Sequence, residues 1–132
     1  MLYITGLSAA ILGALNVMLS LKVVGIRRKE KISVGDGGNE LLLRAQRAQG
    51  NLLEYAPMTL ILLACAEVNG VHRFLLALLA LAFIAGRIMH PVGIRDAQAP
   101  FKMRVMGMQL TLLSMLALAA INVVWLVWLA IT

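Results

Sequence analysis

With 132 residues, the chain has room for one compact domain and no more. Hydrophobic residues make up 61% and charged ones 14%, against roughly 25% charged in an average soluble protein, and the mean hydropathy is +0.90, which excludes a water-soluble globular domain. The net charge of +6 gathers at the ends of apolar runs instead of covering a polar surface, so it reads as membrane topology and no nucleic-acid partner is expected.

The first element is the apolar run Leu2 to Ile26, interrupted by a single charge, Lys22. A bilayer core needs about 20 apolar residues in a helix, so this run spans. It makes a poor signal peptide, having no basic start and no small-residue cleavage site before the basic cluster. The segment "RRKEKISVGDGGNE" (Arg27 to Glu40) follows, and its Gly-Asp-Gly-Gly core reads as a flexible loop. A second helix is expected from about Leu41 to Val68, with Asn69-Gly70 as the turn. The third starts near His72 and reaches about His90, where Pro91 and Gly93 end or bend it. Val105 to Ile131 carries no charge and forms the fourth span. No internal repeat or low-complexity segment is present, so residues 1–132 form a single four-span, all-α membrane domain.

Eleven of the twelve basic side chains lie in or beside the first and third connections; only Arg73 lies at the other end. By the positive-inside rule both long connections face the cytoplasm and both termini lie outside it. Trp125 and Trp128 then belong to the outer aromatic belt. Asn16, Ser20, Ser114 and Asn122 read as interhelical hydrogen-bonding groups. Cys65, the only cysteine, excludes an internal disulfide and any CxxC metal or redox motif, no metal is expected, and the residue reads as a small buried hydrophobe.

The second helix carries an unusual polar stripe. At 100° per residue Arg44, Arg47, Asn51, Glu54 and Met58 fall within an arc of roughly 80°. Ionised groups are expensive against lipid, so the stripe is expected to face the bundle or a water-filled cavity, with Asn51 bridging Arg47 to Glu54. A structural ion-pair network holding helices together would explain such a stripe. The arginines outnumber the acid, however, and Arg87 and Arg104 add positive charge at similar depth. That surplus points to a pocket for a small, multiply charged, water-soluble molecule entering from the cytosol.

The stripe and its neighbours, "RAxxNxxEYxP" in Arg47, Ala48, Asn51, Glu54, Tyr55 and Pro57, with Arg44 one turn earlier, resemble the MAPEG family, the membrane-associated proteins of eicosanoid and glutathione metabolism. The resemblance implies a left-handed four-helix bundle assembled as a homotrimer, with glutathione bound between adjacent subunits near the cytosolic face. Arginine, asparagine, glutamate and tyrosine at these positions hold the tripeptide in members that bind it. The chemistry agrees: Arg47 suits a carboxylate, Glu54 the ammonium, and Asn51 the peptide groups. Gln49 matches the "RAQxN" form of some members but lies roughly 160° from Arg47. It is therefore either directed at a neighbouring subunit's pocket or an interfacial polar residue.

"RIMHPVGI" (Arg87 to Ile94) is similar to the family's "RxxYxxGY", with His90 and Ile94 where eicosanoid-type members carry tyrosines. That departure weakens the expectation of leukotriene-like substrates and leaves glutathione in place, because histidine still hydrogen-bonds. His90 otherwise reads as an interfacial residue. "RVMGMQLT" (Arg104 to Thr111) resembles the start of the last helix in the bacterial branch. Arg104 is the expected catalytic residue, its fixed positive charge favouring a bound thiolate. The resemblance thus implies a glutathione transferase or peroxidase acting in detoxification on hydrophobic electrophiles that arrive from the lipid. One alternative is a lipid- or glutathione-binding protein of the same fold without catalysis. Another is a small proton-coupled exporter, which the arginines near Glu54 disfavour by holding that carboxyl charged.

Overall fold

In a computed structural model, residues 1–131 are described; they form four helices and, among those residues, no strand. Helix α1 is Tyr3–Glu30, α2 Glu40–Val68, α3 Arg73–Val92 and α4 Phe101–Ile131. All four are long and apolar enough to cross a membrane. Two begin or end beyond the apolar runs. α1 continues past Ile26 through Arg27, Arg28 and Lys29, whose charges suit the negative end of the helix dipole. α4 begins at Phe101, directly after Pro100, whose carbonyl accepts from Met103 N. α3 runs through Pro91 to Val92 and stops at Gly93.

Around the bundle the helices follow the order α1, α2, α4, α3, with α2 touching every other helix and α1 and α4 out of contact. Three apolar clusters fill the interior from end to end. Leu63, Ala66, Leu76 and Leu118 pack near the turn between α2 and α3. Leu12, Leu52, Ala56, Phe83 and Ile84 fill the middle, and Val23, Leu42 and Ala45 the basic end. The closest approach is between α3 and α4. A Cβ added at Gly86 would meet Gly107 O at 2.7 Å, and one at Gly107 would meet Gly86 O at 2.8 Å. Backbone lies against backbone there, as small residues allow in membrane helix pairs.

Polar groups tie the ends. The first turn of α1 has no side-chain cap of its own, and Glu67 at the end of α2 supplies one from a distance. Its carboxylate accepts from the amides of Ile4 and Thr5 (both 2.9 Å) and from the Thr5 hydroxyl (2.8 Å). Trp125 Nε1 donates to Asn69 O at 2.7 Å. Asn122 reaches Leu62 O on α2 and Gln49 reaches Ser20 on α1, so Ser20 and Asn122 do bond across helices. Ser114 instead donates to Leu110 O of its own helix. Asn16 Oδ1 is buried and has no partner among the described residues.

The connection between α1 and α2 is a loop, as expected, and its turns carry specific contacts. Arg27 Nη1 donates to Ser33 O at 3.2 Å, Ile32 packs on the Val23–Leu42–Ala45 cluster, Gln46 donates to Gly35 O, and Asn39 caps α2. Its glycines serve tight left-handed turns; Gly37, at φ 58°, also leaves room for the Ile32 side chain. Cys65 is exposed, not buried. Eighteen residues beyond Arg47 it returns to the same helical phase, about 160° from the core-facing Leu63.

Candidate functional site

The stripe on α2 divides between two environments. Arg47 and Glu54, two turns apart, pair directly (Nη1 to Oε1, 3.5 Å) on the outer face of the bundle, with side chains 59% and 48% exposed. Asn51 does not bridge them. It lies about 40° round the helix toward the core arc, which is enough to turn it inward. There its Oδ1 accepts from Arg87 Nη1, and its backbone carbonyl accepts from the same nitrogen at 3.3 Å.

Arg87 is the largest fully buried side chain, at 1% exposure, and not an open anion receptor in the single chain. Besides Asn51, it donates through Nη2 to Gly107 O (3.4 Å) and toward Met108 Sδ (3.6 Å). Its guanidinium carbon lies 5.5 Å from the Tyr55 ring centre and 6.0 Å from that of Phe83. Dipoles and π faces thus surround this cation, and no carboxylate pairs with it among the described residues. Its Nε has no partner there.

One turn on, His90 is 4% exposed, with Nδ1 also unpartnered among the described residues. It is a core residue of the α3–α4 seam and not an interfacial one; a Cβ on Gly107 would lie 3.0 Å from its backbone nitrogen. Arg87 lies one turn before it on α3, and Arg104 one turn before Gly107 on α4, so these arginines lie toward the same end of the bundle. Ile94 is buried as well. Arg104 is exposed, and its backbone seats against Gly93, where an added Cβ would come within 2.2 Å of Arg104 N.

The structure therefore gathers Asn51, Tyr55, Arg87 and His90 inside the chain and leaves Arg47, Glu54 and Arg104 outward. Two expected residues are engaged elsewhere. Arg44 pairs with Glu40 at 3.2 Å, and Gln49 donates to Ser20 Oγ at 2.6 Å, an interhelical bond within one chain. The sequence reading missed Phe83, Gly86, Gly107 and Met108. A glycine beside a mid-helix arginine was the available signal, since close helix approach is what lets a carbonyl from α4 reach Arg87.

The MAPEG family model matches residues 5–131, almost the whole chain. The chain belongs to the MAPEG family. It is also similar to the Inner membrane protein YecN of Escherichia coli strain K12, with 32% identity over 120 residues, 90% of each chain. YecN of E. coli O6:H1 (strain CFT073) gives the same figures. This MAPEG protein is an integral inner-membrane protein, as four apolar helices and that relative agree. Within it, the motif on α2 performs two different tasks: Asn51 and Tyr55 hold Arg87, while Arg47 and Glu54 face outward.

Proposed function

We propose that this protein binds glutathione at the open end of the α2 stripe and acts as a glutathione transferase or peroxidase on hydrophobic electrophiles. The observation that carries the reading is the exposed Arg47–Glu54 pair, held at 3.5 Å. An exposed ion pair contributes little to stability, so the two charges are free to exchange each other for a carboxylate and an ammonium of a zwitterionic peptide. Arg104, exposed at the same end, favours the thiolate. The sulfur then forms a bond to the electrophilic carbon, and the leaving group departs with its electron pair. With the basic connections in the cytoplasm, the tripeptide enters from the cytosol and the substrate from the lipid. The remaining wall of the pocket comes from a second copy of the chain in a homotrimer.

Calorimetry of the purified protein with glutathione, repeated with a thiol-free analogue, tests the binding half. Saturable binding of both ligands is expected, and absence of binding to either would overturn it. A second reading, binding without turnover, draws on Arg87 and Asn51 satisfying each other and so adding nothing to the open face. Conjugation of a hydrophobic aryl halide separates the two, since only the transferase consumes the thiol. A proton-coupled exporter gains no support, because Glu54 already holds an arginine partner.

A further inference from the structure

We propose that Arg87 is a positioning residue: it holds the Asn51 side-chain amide so that the NH2 end opens onto the Arg47–Glu54 face of α2, where it takes only a hydrogen-bond acceptor. A guanidinium carries donors and no acceptor, so only the oxygen end of an amide can face it. Arg87 Nη1 donates to Asn51 Oδ1 and to the Asn51 backbone carbonyl together. The guanidinium is itself fixed. Its Nη2 reaches Gly107 O, which the close approach of α3 and α4 brings alongside. Its carbon lies 5.5 Å and 6.0 Å from the Tyr55 and Phe83 ring centres, and the side chain is closed to solvent.

The pair is satisfied on the oxygen side alone. Asn51 Nδ2 takes no hydrogen bond among the described residues and is not enclosed, and the residue keeps 8% of its surface open. Arg47 stands one turn before it and Glu54 about one turn after, both on the outer face. The free end of the amide therefore lies between the two charges. An amide able to flip could give or accept there, whereas one locked by Arg87 can only give. A peptide carbonyl or carboxylate of the ligand fits this position, and an amine or amide N–H does not. The inference rests on the glutathione reading for the identity of the ligand, and on the Arg87–Asn51 geometry for the polarity of the contact.

The test uses full-length protein in detergent with isotope-labelled asparagine. In the ligand-free wild type, magnetic resonance should show the Asn51 NH2 protons exchanging with water as an open amide does. A protected NH2 would overturn the inference. Glutathione affinity is then read by calorimetry. Asn51→Asp keeps oxygens for Arg87 and removes the donor, so affinity should fall by at least about tenfold. Unchanged affinity in that variant would overturn the inference. Arg87→Gln, which can accept as well as donate, frees the amide to flip and should lower affinity roughly fivefold, the worth of one neutral hydrogen bond. Arg87→Lys, again a donor only, should recover most of that loss. A merely structural Arg87 would instead make affinity follow thermal stability across the three variants, which would overturn the inference too. An open NH2 in a wild type that binds no glutathione would support the orientation while removing the glutathione reading.

Discussion

Arg87 and Arg47 show how far one residue type can diverge within a single motif. Arg87 gives up solvent for Asn51, Gly107 O and two aromatic faces, while Arg47 stays open with Glu54. Only the open one has donors to spare for a ligand. Arg47→Ala is therefore expected to weaken glutathione binding by the worth of a charge-assisted hydrogen bond, about 1.5–3 kcal/mol or roughly 10- to 150-fold, read by calorimetry. Arg104→Ala should leave the affinity for a thiol-free analogue nearly intact. It should instead raise the apparent pKa of the bound thiol, seen as a shift in thiolate absorbance with pH. If both variants weaken the analogue equally and neither moves the thiol titration, Arg104 is an anchor and the catalytic half of the proposal fails. The phase of the stripe was legible in the sequence because residue types recur at helical spacing. The inward turn of Asn51 was not, since a difference of 40° on a wheel decides nothing until the neighbouring helix is in place. Arg87 was legible as a charge and illegible as a buried one: its partners come from three helices.

At the scale of elements, the α3–α4 seam is the part of the fold with least tolerance. Gly86 and Gly107 each face the other's carbonyl oxygen, and backbone atoms have no rotamer with which to move aside. Gly86→Ala must push the helices apart, stretching the Arg87 contact to Gly107 O at the same time. It should cost about 1–3 kcal/mol or more, as overpacked cores do, measured by detergent-denaturant unfolding. Gly6→Ala, with nothing within 4 Å of the added carbon, should cost far less. Four apolar runs were enough to read the number and approximate extent of the helices, because burial in lipid leaves a long continuous signal. Which pair packs closest left only a trace in the sequence, one glycine within each of the two helices. The specific contacts of the α1–α2 connection were hidden for a related reason: "GDGG" signals backbone freedom, and only the anchoring of Ile32 shows that this freedom is spent on specific turns. The connection between α3 and α4 is held by Asp96. Its Oδ2 accepts from Arg95 Nε at 2.7 Å and its Oδ1 from Gln98 N at 3.0 Å. The Arg95 hydrogen bond comes first among the causes that hold this carboxyl below its usual range. A depressed carboxylate stabilises the fold above its ordinary titration and loses that contribution as pH falls through the lower, folded value. The protection factor of the Gln98 amide, with the intrinsic exchange rate divided out, should therefore fall at acid pH below the ordinary aspartate range, and Asp96→Ala should remove that dependence.

For the whole molecule the decisive quantity is where charge lies relative to the bilayer. Eleven of twelve basic side chains at one end predict that a reporter fused after Thr132, which lies outside the described residues, is active outside the cytoplasm. A reporter within Gly35 to Gly38 should be cytoplasmic, and the opposite result for either fusion would reverse the access route to the site. Assembly follows from the same balance. Arg47 and Glu54 are roughly half exposed on the outer face of a membrane-spanning helix. An ionised side chain facing lipid costs at least about 2.5 kcal/mol near the centre of a span. Met58 and Cys65 continue the same exposed line, so the stripe is a long face, only part of which a bound tripeptide can cover. In the proposed homotrimer a second copy would cover the rest and enclose the ligand. Mass measurement in mild detergent should give three copies of the 14.3 kDa chain. Glu54→Lys, which sets two cations on that face, should lower both the trimer fraction and glutathione binding together. A stable monomer that still binds glutathione would separate the site from assembly and remove the need for a second subunit. A trimer that survives Glu54→Lys while losing glutathione would instead place the subunit contact on another face, leaving the stripe to the ligand alone.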